Sequence, residues 1–205
     1  GPNCRRHAWA CSYEGIRAAA AGKSALCIGP GLGKSTDIFS LLKKIMRGIR
    51  LPVVIDADGL NVLEGGLSLL KEAKDRVVIT PHPGEAARLL GVSAADVQAD
   101  RLGAAERLAQ KSGAVVALKG ASTVVAAPDG RVWINLTGNA GLSTAGTGDV
   151  LSGMIGGLLA AGQTPINAAI AAVYMHGMAA DELKKTGIEA GMMATDLLPV
   201  IPRML

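Results

Sequence analysis

ALCIGPGLGKSTDIFSLLKKIMRG (residues 25–48) holds a whole strand, turn and helix, and the architecture follows from how it is read. The apolar run Ala25 to Ile28 reads as a strand, and Thr36 to Gly48 as the helix after it. Between them, GPGLGKST (29–36) invites comparison with a phosphate-binding P-loop. A P-loop needs about four residues between its first glycine and the Gly-Lys pair, so that the backbone makes a full turn with several N–H groups pointing inward. Here only Pro30, Gly31 and Leu32 separate Gly29 from Gly33-Lys34. The stretch is therefore a glycine-lined turn. Two uses fit it equally: a close approach of ligand to backbone, or a plain strand-to-helix connection.

Working outward, the pattern repeats. PVVIDAD (52–58), RVVIT (76–80) and AVVALKG (114–120) are apolar runs with polar ends. Pro83 can open a helix that Gly91 closes, and Ser93 starts a cap-like S-A-A-D ahead of a helix expected through about Lys111. TVVAAPDGRVWINLT (123–137) reads as a hairpin turning at Pro128-Asp129-Gly130. Helices are expected from Asp149, from Thr164-Pro165 and near Thr195. Strand and helix in alternation predict an α/β layered fold with a mainly parallel central sheet flanked by helices. In such folds ligands sit outside the carboxyl ends of the strands. Those ends carry GPGLG, DADGLN, TPHPGE and LKGAST, so one shared site is expected there.

Composition narrows the class. The chain has 205 residues, enough for one large domain, and is 49% hydrophobic but only 2% aromatic, so small side chains must do the packing. A net charge of +4, spread rather than striped, argues against nucleic acid and suits an anionic substrate. Cys4, Cys11 and Cys27 show no metal-ligand spacing and are expected as reduced thiols in a cytoplasmic protein. No apolar run is long enough to span a bilayer, and no membrane association is expected. The Ala/Gly-rich helices suit a core or an intersubunit face, and a homo-oligomer is expected.

NLTGNAGLSTAGTGDVLSGMIGGLLAAG (135–162) carries most of the chemistry. The amides of Ala145, Gly146, Thr147 and Gly148 have little bulk around them and precede a helix whose N-terminus adds partial positive charge. They form a natural cradle for a transferring phosphoryl group. Asp149 then stands where a carboxylate accepts the proton of an attacking hydroxyl. The alternative is that Asp149 caps the helix and the glycines serve close packing.

TAGTGD with its small-residue helix resembles the anion hole and catalytic aspartate of the ribokinase-like superfamily. DADGLN, TPHPGEAARLLG, LKGASTVVAAPDGRVWIN and GNAGLSTAGTGDVLSGMIGGLLAAG, in this order, resemble one branch of it, the ADP- or ATP-dependent NAD(P)H-hydrate dehydratases. The likeness runs from Gly29 to the C-terminus. It implies a ribokinase-like fold, and repair of hydrated NADH or NADPH by phosphorylating the ring hydroxyl and expelling phosphate, with Mg2+ and ADP or ATP as donor. By the same resemblance Lys119, Gly120, Ala121, Ser122, Thr123 and Gly148 line the adenine nucleotide. Gly33, His82, Asn139 and Asp149 contact the hydrated cofactor. Glu85, three residues after His82, matches a position that organises magnesium through water in sugar kinases.

Each of these has a plainer use. Glu85 in a first helical turn compensates the dipole, and His82 between two prolines can be a cap. Lys119 can be a solvated strand end. Asp56, Asp58 and Asn61 reach substrate or bond the loop that follows them. His176, within an apolar helix, reads as core. The family's pattern places a further glycine-rich strand and helix ahead of GPGLG, and residues 1–24 do not match it, so that stretch is expected to be atypical or poorly ordered and the sheet truncated there. Other functions compatible with the residues are a vitamin-precursor kinase and a non-catalytic nucleotide-binding remnant.

Overall fold

The structure, a computed structural model, describes residues 8–33, 35–73 and 75–204, with side chains from Tyr13 onward. Among these, six strands form one sheet in sequence order. β1 (Leu26–Ile28), β2 (Val53–Ile55), β3 (Val77–Ile79) and β4 (Val115–Leu118) are parallel. β5 (Val124–Ala126) and β6 (Val132–Ile134) add an antiparallel hairpin, as its turn residues predict.

The order of the strands dictates where the helices go. Each crossover from β1 to β4 steps to the next position in the same direction, and crossovers share one hand, so the connecting helices share one face. These are α2 (Thr36–Gly48), the short α3 (Asp58–Asn61), α4 (Pro83–Leu90), α5 (Ala94–Ala99) and α6 (Arg101–Ser112). The other face is covered after the sheet is complete, by α7 (Thr147–Ala160) and α8 (Pro165–Lys185). Strand residues alternate accordingly: Val53, Ile55 and Ile79 pack in the α2/α6 cluster, whereas Val54, Val78 and Ala117 pack against Leu151, Ile155 and Ala172. Burial on both faces is why the strands read as unbroken Val/Ile runs.

One expectation is corrected. The helix expected from Ser93 to about Lys111 is two helices, because Asp100 ends α5 and caps α6 with φ −138° and ψ 75°, its carboxylate accepting from Gly103 N–H at 2.8 Å. A competing cap inside a helical pattern wins when the side chain can satisfy the next helix's orphan amides. Within residues 1–24, Ala8–Ala20 forms α1, with Tyr13 and Ile16 against the main core. The expectation for residues 1–7 lies outside the described residues. A four-residue helix, α9 (Ala194–Leu197), sits near Thr195 as expected.

Candidate active site at the carboxyl ends of the strands

The parallel ladder continues one step past each strand. Asp56 N–H donates to Ile28 O at 3.0 Å, Thr80 N–H to Ile55 O at 3.2 Å, and Lys119 N–H to Pro81 O at 2.8 Å. Asp56, Thr80 and Lys119 thus form a row at the carboxyl edge. Asp56 is 1% exposed yet fully bonded: Oδ1 accepts from Lys119 Nζ at 2.7 Å and from Ala57 N–H at 2.8 Å, and Oδ2 accepts from Ser152 Oγ at 2.7 Å. Ala57 takes φ +49° to allow this, a conformation that L-residues seldom hold without compensation. Ser152 in turn lies 3.3 Å from Thr80 Oγ1.

The entry to α7 lies beside this row. Gly146 is its N-cap at φ +88°, and no side chain caps the helix. Thr147 N–H makes only a long 3.4 Å bond to Thr144 O, so the opening turn keeps donors to offer an anion. Gly148 faces Lys119 closely, since a Cβ there would lie 3.3 Å from Nζ. Asp149 is exposed in the first turn. Its side chain makes no capping bond, so the capping alternative is not the one adopted.

A cavity of about 480 Å³ opens here. It brings together Lys119, Gly120, Ala121, Ser122, Thr123, Asn139, Thr147 and Gly148. Ala145 and Gly146 precede its wall, and Asp149 stands one residue beyond it. The Asn139 amide is already in use, accepting from Gly141 N–H at 3.0 Å and donating to Asp181 Oδ1 at 3.1 Å. Asp181, which sequence reasoning missed, also accepts from Gly138 N–H and thereby anchors this wall to α8. Ser152 was missed too. Its signal is a hydroxyl on the buried face of an apolar helix, one turn after Asp149.

The remaining predicted residues sit outside that cavity, at the ends of β1 to β3. In the glycine turn, Leu32 N–H bonds Gly29 O and Gly33 N–H bonds Asp58 Oδ2 at 2.9 Å, so these amides serve the turn itself and not an anion nest. Lys34 lies outside the described residues. Asp58 also holds Asn61, whose Oδ1 accepts from Arg88 Nη2 at 2.8 Å. His82 is the N-cap of α4: Nδ1 accepts from Gly84 and Glu85 N–H, and Glu85 Oε2 accepts from His82 N–H at 2.9 Å. The imidazole is half-exposed and its Nε2 lies 3.5 Å from Glu85 Oε1.

No group of three metal-ligating side chains occurs among the described residues. Glu85 is 5% exposed, spends Oε2 on the His82 N–H and stands outside the cavity lining.

Cys27 on β1 is free; partial burial holds its thiol above the ordinary value, and the Asp56 and Asp149 carboxylates add to this. His176 is 7% exposed, as core placement predicts, but it also lines the cavity. Its Nε2 has no partner. Burial lowers its pKa from 6.5 to about 4, Lys119 acts in the same direction, and a hydrogen bond with the Thr147 backbone opposes them. The folded form therefore resists a proton that the unfolded chain takes up below the ordinary value. His176's contribution is complete above about pH 6.5 and is lost as pH falls toward about 4. The loss is on the order of 3 kcal/mol. Urea unfolding across that window is expected to show a steep fall in stability, and His176→Leu is expected to remove most of the slope.

Comparison with known proteins fits this geometry. Residues 10–203 match the model of the NAD(P)H-hydrate dehydratase family. The chain is 47% identical over 180 residues to a bifunctional NAD(P)H-hydrate repair enzyme of Moorella thermoacetica, covering 88% of this chain and 34% of that protein. It is 45% identical to an ADP-dependent (S)-NAD(P)H-hydrate dehydratase of Neisseria meningitidis, covering 86% and 61%. A Bacillus subtilis ADP/ATP-dependent NAD(P)H-hydrate dehydratase, co-crystallised with ATP/Mg2+, superposes with a TM-score of 0.77 at 34% identity, covering 88% of this chain and 63% of that one. The chain thus spans about a third to two thirds of the length of these relatives. A glycine-capped helix entry with no side-chain cap, beside a lysine, and a family match over almost the whole sequence, agree: this chain belongs to the NAD(P)H-hydrate dehydratase family.

Proposed function

We propose that this chain performs the nucleotide-dependent dehydration of hydrated NADH or NADPH, with ADP as the donor and ATP as a substitute. The observation that carries the reading is the open N-terminus of α7, with Asp149 in its first turn and Lys119 against Gly148. Asp149 takes the proton of the ring hydroxyl as its oxygen attacks the terminal phosphorus of the nucleotide, and the bond from that phosphorus to its bridging oxygen breaks, so that AMP leaves from ADP or ADP from ATP. Amides from Gly146 to Gly148 and the Lys119 ammonium hold the charge of the moving phosphoryl group. Hydroxide leaves badly and phosphate leaves well. The ring nitrogen's lone pair then expels phosphate with the C–O electrons, and loss of a proton from the neighbouring carbon restores the double bond.

Magnesium on the phosphates would supply further charge neutralisation. Support also comes from the ADP dependence in the name of the Neisseria relative and the ATP/Mg2+ of the Bacillus crystal. The test is direct. With hydrated NADH, ADP and Mg2+, dihydronicotinamide absorbance recovers in step with AMP and phosphate release, and omission of nucleotide abolishes recovery. Phosphorylation of a simple vitamin alcohol without such recovery would overturn the reading in favour of a kinase.

A further inference from the structure

We infer that Asp56 is a positioning residue that pre-sets the Lys119 ammonium against the opening turn of α7, so that the nucleotide's phosphates meet a charge already in place. The inference rests on the reading that an adenine nucleotide occupies the cavity beside α7.

Two properties of the pair support it. A lysine side chain has high rotamer freedom, and fixing it at the moment of binding would subtract from affinity. Here it is fixed beforehand: Nζ donates to Asp56 Oδ1 at 2.7 Å, and the side chain is 20% exposed. One N–H of three is used, which leaves donors on the ammonium where it adjoins Gly148. Asp56 itself has no freedom to follow a different partner. Its second oxygen is held by Ser152 Oγ, and its backbone N–H is locked into the ladder by Ile28 O. Ser152 Oγ donates to Asp56 and lies 3.3 Å from Thr80 Oγ1, which also lies 3.5 Å from Ile55 O, so Thr80, Ser152 and Asp56 form one buried cluster around the lysine's anchor. Three elements, β2, β3 and α7, thereby agree on where one ammonium stands. Arg101 backs the same loop from the other side, donating to Leu118 O at 3.1 Å.

The converse cost explains why the anchor is an aspartate and not a neutral amide. A carboxylate that is 1% exposed is tolerated only with its charge matched, and Lys119 is the cation in contact with it. Removing either partner strands the other.

The test compares binding of ADP with binding of adenosine, which lacks phosphates, by calorimetry on the intact chain. Asp56→Asn is expected to lower ADP affinity on the order of ten-fold while leaving adenosine affinity unchanged, because only the phosphates meet the ammonium. In a Lys119→Met background the same change should have little further effect on ADP, giving a coupling in the double-mutant cycle. Equal losses for ADP and adenosine, or an Asp56→Asn effect that persists without Lys119, would overturn the inference.

Should Asp56→Asn fail to fold, Ser152→Ala keeps both charges and frees one carboxylate oxygen. It is expected to weaken ADP about three-fold with adenosine unchanged, and no change in either overturns the inference. The functional reading fails separately. If ADP binding depends on the Asp56–Lys119 pair but hydrated NADH is not repaired, the positioning role stands and the dehydratase reading falls.

Discussion

Asp149→Asn is expected to lower the turnover of hydrated NADH by about 10³- to 10⁴-fold, while ADP affinity changes by less than about three-fold. The asymmetry follows from where the residue stands. Asp149 is exposed at the first turn of α7 and makes no capping bond, so the amide replacement takes no cap from the helix. The amides and Lys119 that would hold the phosphates remain. What is lost is a basic oxygen for the hydroxyl proton. Single-turnover recovery of dihydronicotinamide absorbance, set beside calorimetric ADP binding, separates the two effects. Retained turnover would remove Asp149 from the chemistry, and a parallel collapse in binding would make it a structural residue.

The second large effect is on the fold. Gly29→Ala is expected to cost on the order of 4 kcal/mol and to lower Tm by roughly 10 °C. Gly29 has φ +147°, and a Cβ there would stand 1.7 Å from the Asp56 carbonyl oxygen. That obstacle is backbone, held in place by Gly59 N–H, which donates to the same oxygen. The chain cannot step aside without displacing Asp56 and the Lys119 anchor with it. Gly31 provides the control. It too has positive φ, but a Cβ there meets nothing within 4 Å, so Gly31→Ala should cost about 1 kcal/mol. Thermal unfolding of the two variants side by side measures the difference. Similar values would mean that conformation and not collision governs the turn.

Much of this architecture was legible from residues alone, for physical reasons. The runs at 53–55, 77–79 and 115–118 stand out because burial on both faces leaves no room for a polar position, and Pro-Asp-Gly marks its hairpin by turn chemistry. The α7 entry was legible because consecutive small residues before an apolar stretch mark a helix start that carries no side-chain cap. The division at Asp100 was hidden, since aspartate on a helix surface is ordinary until Gly103 supplies an amide for it to bond. The role of Asp56 was hidden for a different reason. Its partners Lys119 and Ser152 lie 63 and 96 residues away, and no local pattern records a bond that only the sheet creates. His82 and Glu85 show the limit from the other side: a histidine between prolines and a glutamate three residues on describe a capping box and a ligand contact equally well in one dimension.

The ladder bonds that carry Asp56, Thr80 and Lys119 past their strands tie chemistry to assembly. Asp56 lies two residues after Val54 and so points to the same side of the sheet, toward α7. A slip of one residue in the pairing of β2 would send its carboxylate to the opposite side, among the aliphatic side chains beneath α2. Misfolded molecules should accordingly be wholly inert and not sluggish, and the active fraction of a preparation would report directly on how many copies have zipped their central strands correctly.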